Sequence, residues 1–192
     1  MRVLVACEFS GVVRNAFRAM GHDAWSCDLL PAEDGSEYHY KTSIKQLLRN
    51  WKLWGAPRPR DWNMLLAFPP CTHLAVSGAR WFKDKKQEQI EALAFVRFLM
   101  DAPINKIALE NPIGIISTYI RKADQIIQPW QFGHGEVKAT CLWLKNLPLL
   151  TPTKIVSGRD PRVHFASPGP DRWKERSRTL PGIAKAMAQQ WG

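Results

Sequence analysis

The chain has 192 residues, 45% of them hydrophobic, which is enough to bury a core and predicts one domain over residues 1–192. No run of about 18 apolar residues is present, which excludes a membrane-spanning helix, and the apolar N-terminal stretch is too short for a signal peptide, so we expect a cytoplasmic protein. The net charge of +10 favours a polyanionic partner, most simply a nucleic acid.

A strand, a tight turn and a helix are predicted at the start of the chain. Residues 2–7 are apolar, Glu8-Phe9-Ser10-Gly11 follows, and residues 12–20 carry apolar side chains at helical spacing. This order opens nucleotide-binding α/β folds, although one glycine does not make a dinucleotide fingerprint. A second strand over 24–27 ends at Asp28, at a spacing that suits an acid accepting a hydrogen bond from a ribose hydroxyl. The alternative is a solvated loop carboxylate.

An apolar strand over 64–68 ends abruptly at Pro69-Pro70-Cys71. Proline cannot donate to a strand ladder and restricts the residue before it, so the strand stops and the loop is stiff. In open α/β sheets ligands bind at the carboxyl ends of the strands, so Cys71 is presented where a ligand would lie. The alternative is a buried cysteine in a proline turn. Before this strand the sequence predicts a polar loop over 31–40, a short helix over 44–51 and a loop over 54–62.

A further strand over 104–109 repeats this pattern, because it runs into Glu110-Asn111-Pro112. We expect Asn111 to hold its loop by side-chain hydrogen bonds, and the alternative for Glu110 is a carboxylate that caps backbone N–H groups. The other predicted elements are a loop over 72–81, a long helix over 85–100, a short helix over 113–120, a closing hairpin with strands 130–132 and 138–144, and a final helix over 183–191.

Basic side chains concentrate in two of the predicted loops. Loop 72–81 combines basic and aromatic residues, and the segment 145–178 is rich in lysine and arginine, a composition that suits nucleic acids. The alternative for the longer segment is a solvated loop. We predict nucleic-acid contacts from Arg80, Arg159, Arg162, Arg172, Lys174, Arg176 and Arg178.

The four cysteines, Cys7, Cys27, Cys71 and Cys141, are scattered along the chain. They form no C-x-x-C pair and no zinc-type spacing, so neither a metal site nor a disulfide in a reducing compartment is predicted. Three of them lie in or end apolar runs, where a small core residue is the usual role. Cys71 differs because two prolines precede it.

A cysteine and an acid at strand ends suit one demanding reaction. Cytosine C5 is not nucleophilic enough to accept a methyl group unaided, but a thiolate that adds at C6 places electron density on C5, and a carboxyl near N3 assists by hydrogen bonding or protonation. Free cysteine has a pKa of about 8.5, so the site must favour the thiolate. Arg80, Lys138 or a helix N-terminus could do so.

In these motifs the chain resembles the cytosine-C5 DNA methyltransferases, particularly the compact forms of phage and prophage genomes. Residues 6–11 resemble the first cofactor motif, residues 27–31 the segment whose acid binds the cofactor ribose, and Phe68-Pro69-Pro70-Cys71 the catalytic Pro-Cys loop. Leu109-Glu110-Asn111-Pro112 resembles the Glu-Asn motif. Residues 138–144 stand where the family has paired arginines before a strand, and residues 183–186 resemble the last family motif.

The resemblance implies a Rossmann-like class I methyltransferase fold: an α/β protein with a mostly parallel central sheet, helices on both faces and a closing β-hairpin. It implies S-adenosyl-L-methionine as cofactor and DNA as partner, with the target base flipped out of the duplex or in a single strand. It implies Cys71 as nucleophile, Glu110 as the contact to cytosine N3 and Lys138 as the contact to O2. The cofactor residues that it implies are Phe9, Ser10, Gly11, Asp28, Leu29, Ser43 and Pro69.

The chain also departs from the family pattern. Phe9 stands at the first glycine of the cofactor motif, Ser43 where an acid is frequent, and Lys138 and Thr140 in place of the arginine pair. Only residues 145–178 remain in place of a large target-recognition domain. These departures leave two alternatives open: the same chemistry on a free pyrimidine nucleotide, or a degenerate methyltransferase fold that acts as a DNA-binding accessory protein.

Overall fold

The computed structural model describes residues 1–76, 84–161 and 172–192. Strands and helices alternate along most of this length. The strands are β1 (Arg2–Ala6), β2 (Asp23–Asp28), β3 (His39–Lys41), β4 (Met64–Ala67), β5 (Lys106–Pro112), β6 (Gln125–Ile127) and β7 (Thr140–Lys145). The helices are α1 (Val12–Ala19), α2 (Ile44–Arg49), α3 (Lys86–Met100), α4 (Ile116–Tyr119), α5 (Arg172–Ser177) and α6 (Pro181–Trp191).

All seven strands join one sheet in the order β3-β2-β1-β4-β5-β7-β6. Strands β1 to β5 pair in parallel, whereas β7 runs antiparallel to both β5 and β6. Alternate residues of the central strands face opposite sides: Leu65 packs into one core cluster, and Met64 and Leu66 pack into the other. Helices α2, α3 and α4 cover the first cluster, and α1 and α6 cover the second. The predicted Rossmann-like α/β class is therefore confirmed, together with its closing hairpin.

The first strand of that hairpin was placed wrongly by the sequence pattern. It occupies Gln125–Ile127, while Pro129–Gln131 forms a 3-10 turn. Proline supplies no N–H to a ladder but suits the first position of a helical turn. The side chains of Gln128 and Gln131 cap the turn reciprocally, which fixes it as a turn.

Two short elements lie inside segments that were predicted as loops. Strand β3 falls at the end of the predicted loop 31–40 and pairs at the sheet edge through its backbone, so a polar composition does not prevent it. Helix α5 falls within the predicted loop 145–178. Residues 77–83 and 162–171, which include parts of the predicted loops 72–81 and 145–178, lie outside the described residues. In the described parts, no helix is long and apolar enough to cross a membrane.

Candidate active site

The carboxyl ends of β2, β1, β4 and β5 lie next to one another at one edge of the sheet. Parallel strands end at the same edge, so the topology brings Gly11, Asp28, Cys71 and Glu110 to a common rim. We call residues 8–11 and 28–39 the Gly11 side. We call residues 69–76 and 110–115 the Cys71 side.

A buried carboxylate organises the turn between β1 and α1. Glu8 is 6% exposed, and its carboxylate accepts hydrogen bonds from the backbone N–H groups of Val13 (2.6 Å) and Arg14 (3.3 Å). Ser10 lies beside it, with its hydroxyl 3.5 Å from Glu8 Oε1. Burial raises the pKa of Glu8 to about 7, against the lowering effect of these hydrogen bonds. Glu8 thus occupies the N-terminus of α1, where dinucleotide-binding folds hold a pyrophosphate.

Gly11 is required by its backbone and by its neighbours. Its φ is +74°, in the left-handed region, and an added Cβ would lie 2.3 Å from Arg14 Nη2 and 2.8 Å from Asp34 Oδ2. Phe9, just before it, is 9% exposed, and its carbonyl accepts a hydrogen bond from the backbone N–H of Glu33 (2.9 Å). The glycine turn and the loop after β2 are therefore packed against each other.

An entirely buried arginine fixes that loop. Arg14 donates from Nη1 to Ser26 Oγ (2.8 Å) and from Nη2 to the carboxylate of Asp34. Ser26 Oγ lies 2.8 Å from His39 Nδ1, and His39 Nε2 lies 2.9 Å from the carbonyl oxygen of Leu30. Both ends of the loop 29–38 are thus tied to α1. Sequence reasoning missed Arg14, because an arginine on a short amphipathic helix ordinarily lies on its solvated face.

The other residues predicted on this side have mixed surroundings. Asp28 Oδ1 accepts a hydrogen bond from the N–H of Leu30 (2.9 Å), while burial raises its pKa. Leu29 is 71% exposed at the rim. Ser43 begins α2 as its N-cap, accepting a hydrogen bond from the N–H of Gln46 (3.2 Å), so its hydroxyl has a structural partner.

The two loops of the Cys71 side are bonded to each other. Asn111 lies in β5, which extends to Pro112 and beyond the predicted end at residue 109. Its side chain, 1% exposed, donates from Nδ2 to the carbonyl of the buried Pro69 (2.8 Å), so it attaches this strand to the Pro-Cys loop. The backbone N–H of Val76 donates to the carbonyl of Ile113 (3.1 Å). The loops approach so closely at Gly114 that an added Cβ would lie 2.0 Å from the carbonyl oxygen of Leu74. Cys71 and Glu110 therefore belong to one rigid unit.

Cys71 is exposed, whereas Cys27 and Cys141 are buried and Cys7 is half-buried. The protein around the Cys71 thiol desolvates it and raises its pKa, and the Glu110 carboxylate adds to this effect. Lys138 and Arg176 act in the opposite direction and lower that pKa. Glu110, Lys138 and Arg176 thus all act electrostatically on the Cys71 thiol.

Burial raises the pKa of Glu110, and the Lys138 ammonium and the Thr140 hydroxyl lower it. A carboxyl with a raised pKa can donate a proton or hydrogen bond near neutral pH. Lys138 Nζ donates to the backbone carbonyls of Arg176 (2.8 Å) and Arg178 (3.3 Å). The lysine that acts on Glu110 is therefore bonded to the segment before the last helix. The lowering of the Cys71 pKa by Arg176 had no signal in the sequence, since about a hundred residues separate the two.

The residues predicted to bind nucleic acid differ in where they lie and in which side chains they contact. Arg80 and Arg162 lie outside the described residues, and Arg172 opens α5. Arg159 stacks on Trp130 at 4.0 Å, and Arg178 forms an ion pair with Glu33. Lys174 lies over the Trp173 ring at 5.7 Å, and Arg176 lies on the side of Cys71. Among the described residues, no three His, Cys, Asp or Glu side chains are arranged to hold a metal ion.

This fold belongs to the Rossmann-like α/β class, and solved structures of that class resemble it. No family model matches the chain, and no curated protein matches it. A proposed DNA modification methyltransferase encoded within a prophage of E. coli is similar with a TM-score of 0.55 and 13% identity, over 88% of this chain and 55% of that one.

A DNMT2 variant from Spodoptera frugiperda is similar with a TM-score of 0.44 and 16% identity, over 83% of this chain and 54% of that one. The chain thus spans about half the length of both proteins. At 13% identity, the likeness to the prophage protein supports the fold and leaves the activity to be argued from the site.

Proposed function

We propose that this protein is an S-adenosyl-L-methionine-dependent methyltransferase that modifies C5 of cytosine in DNA through a covalent adduct with Cys71. The observation that carries the proposal is the hydrogen bond from Asn111, in β5, to Pro69, which attaches the Pro-Cys loop to the strand that carries Glu110. It fixes an exposed thiol and a carboxyl of raised pKa in one unit. A nucleophile and an acid held in this way suit attack on a ring that must accept charge.

The Gly11 side suits a nucleoside that carries no phosphate. The Glu8 carboxyl already accepts the N–H groups of Val13 and Arg14, which a pyrophosphate would need at this helix N-terminus. A nucleoside without phosphate does not need these donors. Asp28 at the end of β2 is then the acid for the ribose hydroxyls, with Phe9, Ser10, Gly11, Leu29, Ser43 and Pro69 as the other proposed cofactor residues. When bound, S-adenosyl-L-methionine supplies an electrophilic methyl group.

The groups of the Cys71 side divide the work on the base. The Cys71 thiolate adds to C6 as the C5–C6 π bond opens, and the electron density that reaches C5 makes that carbon a nucleophile. Once C5 carries the methyl group, its proton is lost to solvent, the double bond forms again and the thiolate leaves C6. Burial raises the pKa of Glu110, which favours its protonated form, and this form can donate a hydrogen bond to N3 as charge builds on the ring. Lys138 and Arg176 favour the thiolate. Lys138 is a point charge, so its contact to O2 lacks the planar fork of an arginine.

DNA is the substrate that the charge of the chain favours. A net charge of +10 exceeds what one nucleotide needs, and phosphate contacts supply most of the affinity for a nucleic acid. The target cytosine must leave the stack or come from a single strand to reach Cys71. Residues 145–178 stand in place of a large target-recognition domain, so we expect short or relaxed sequence selectivity.

Transfer of tritium from labelled S-adenosyl-L-methionine to DNA tests the proposal. The Cys71→Ser variant should incorporate label only at background level, and Glu110→Gln should lose most of the activity. Cys141→Ala removes a buried thiol and serves as the control that keeps activity, provided that its melting temperature is unchanged. Equal incorporation by the Cys71→Ser variant and the parent would remove the covalent mechanism.

One observation favours a second candidate, the same chemistry on a free pyrimidine nucleotide. Arg159 and Arg178 are engaged with Trp130 and Glu33, so two cations predicted for DNA have internal partners. An arm with dCMP beside duplex and single-stranded DNA separates the substrates. Label in dCMP alone would show that the free nucleotide is the substrate, and label in DNA alone would exclude this second candidate.

A further inference from the structure

The segment 172–178, which we call the strap, reaches both sides of the site. On the Gly11 side, the Trp173 ring lies against the Phe9 ring, with 5.8 Å between centroids and 52° between planes. Arg178 forms an ion pair with Glu33, whose backbone N–H donates to the Phe9 carbonyl. The strap is therefore attached both to the residue before the glycine turn and to the loop after β2.

The strap is also anchored on the Cys71 side. The carbonyls of Arg176 and Arg178 accept hydrogen bonds from Lys138 Nζ, at 2.8 Å and 3.3 Å. Lys138 is the same ammonium that lowers the pKa of Glu110 and of Cys71. With anchors on both sides, the strap holds Trp173 at a defined place beside Phe9.

Trp173 is half exposed, at 50%, although its partner Phe9 is 9% exposed. The contact with Phe9 thus covers only part of the indole, and a large flat apolar surface remains uncovered at the rim of the Gly11 side. Pockets for small ligands are lined by such aromatic surfaces, and a purine ring has two flat faces that need them. Leu29, 71% exposed at the end of β2, adds apolar surface to the same rim.

We propose that Trp173 is a wall of the cofactor pocket, against which the adenine ring of the methyl donor packs, and that the strap positions it there. This inference rests on the proposed function, because it takes the nucleoside to lie at the ends of β1 and β2. It adds a binding residue from the far end of the chain, one that sequence spacing did not select. It also gives the Arg178 ion pair a role other than binding DNA.

Calorimetry with S-adenosyl-L-homocysteine, which has the same nucleoside but no methyl group to transfer, tests the wall. Stacking of a base on an aromatic side chain contributes about 1–3 kcal/mol, so Trp173→Ala should weaken binding by at least about fivefold. Trp173→Phe keeps an aromatic face and should stay within about threefold of the parent. Glu33→Gln removes the charge that holds Arg178 and should weaken binding by an intermediate factor.

The control is Trp54→Ala. Trp54 is 39% exposed and lies in the 3-10 turn Trp51–Trp54 between α2 and β4, toward the opposite edge of the sheet, so its removal should leave binding unchanged. Thermal melts of every variant separate a lost fold from a lost contact. A partly exposed side chain such as Trp173 should cost little stability.

Parent-like binding by Trp173→Ala would overturn the assignment of Trp173 to the pocket wall, and the proposed function would be unaffected. Tighter binding by that variant would also overturn it, because the indole would then fill the volume that the cofactor needs. Absence of binding by the parent itself would remove the proposed function and the wall together. Loss of binding with Trp173→Ala, retained with Trp173→Phe and Trp54→Ala, would support the wall.

Discussion

The Cys71 side and the Gly11 side are held together by different kinds of bond. On the Cys71 side, the two segments are joined by backbone hydrogen bonds, from Val76 to Ile113 and from Ile115 to Leu74, and by the uncharged side chain of Asn111. On the Gly11 side, buried charged and polar side chains join α1 to the loop 29–38. Backbone hydrogen bonds tolerate most substitutions, whereas a buried charge depends on each of its partners. The two sides should therefore respond differently to mutation.

The largest effect is expected for Arg14→Met. The change removes two hydrogen bonds from the buried guanidinium, to Ser26 and to the partly exposed Asp34, and hydrogen bonds to charged groups contribute about 1.5–3 kcal/mol each. Denaturant unfolding should show the loss of stability, and binding of S-adenosyl-L-homocysteine should weaken more than DNA binding. Arg49→Met, an exposed arginine on α2, is the matched control. An Arg14→Met protein as stable as the parent would contradict the importance of the network.

The pH dependence of stability tests the same side through Glu8. Its pKa rises from 4.5 in the unfolded chain to about 7 in the folded protein, so the folded state binds more protons between these values. The contribution of Glu8 is present in full below pH 4.5 and is lost as pH rises through 7. At about 1.4 kcal/mol for each pKa unit, this rise corresponds to about 3 kcal/mol.

Glu8→Gln removes this titration while keeping an acceptor for the N–H groups of Val13 and Arg14. Unfolding free energies measured from pH 5 to pH 8 should fall for the parent and stay flatter for the variant. Parallel curves for the two proteins would show that Glu8 is not the titrating group.

Gly114→Ala should break the Cys71 side, and its effect on activity should exceed its effect on stability. The new Cβ meets the carbonyl of Leu74 at 2.0 Å, so the two loops must move apart, at a cost of about 1–3 kcal/mol. Cys71 and Glu110 then lose their fixed relation, and methyl transfer should fall at least tenfold. Gly21→Ala is the control, because φ there is +82° with open space around it, so only backbone strain is added. Equal activity in Gly114→Ala and Gly21→Ala would show that the close contact at Gly114 is not needed for catalysis.

The Cys71 side could be predicted from the sequence to a greater extent than the Gly11 side. The Cys71 side depends on prolines, strand ends and an Asn-Pro step, which act locally, so Cys71, Glu110 and Asn111 could be found by pattern. The alternation of apolar strands and helices likewise predicted the sheet and its two covered faces. Arg14 carries no local pattern, because its partners Ser26 and Asp34 meet it only when α1 packs beside β2 and the loop that follows.

Contacts between distant parts of the chain had no sequence signal either. The strap was predicted as basic loop, and its contacts with Phe9 and Lys138 depend on where the chain returns after residue 171. The hairpin was misplaced because residues 130–132 have an apolar strand-like composition, while the two glutamines that cap the turn act through their side chains. Short-range patterns predicted which residues end strands, but not which side chains become their partners.

The smallest and most specific effect concerns the reactivity of the Cys71 thiol. Glu110 raises its pKa and Lys138 lowers it, so the two changes should act in opposite directions. The midpoint of the pH profile for alkylation by iodoacetamide should move down in Glu110→Gln and up in Lys138→Met, because only the thiolate reacts. Cys71 is the exposed cysteine of the four, and Cys71→Ser gives the background. A shift of both midpoints in the same direction would mean that a general change in burial, and not these two charges, sets the reactivity of the thiol.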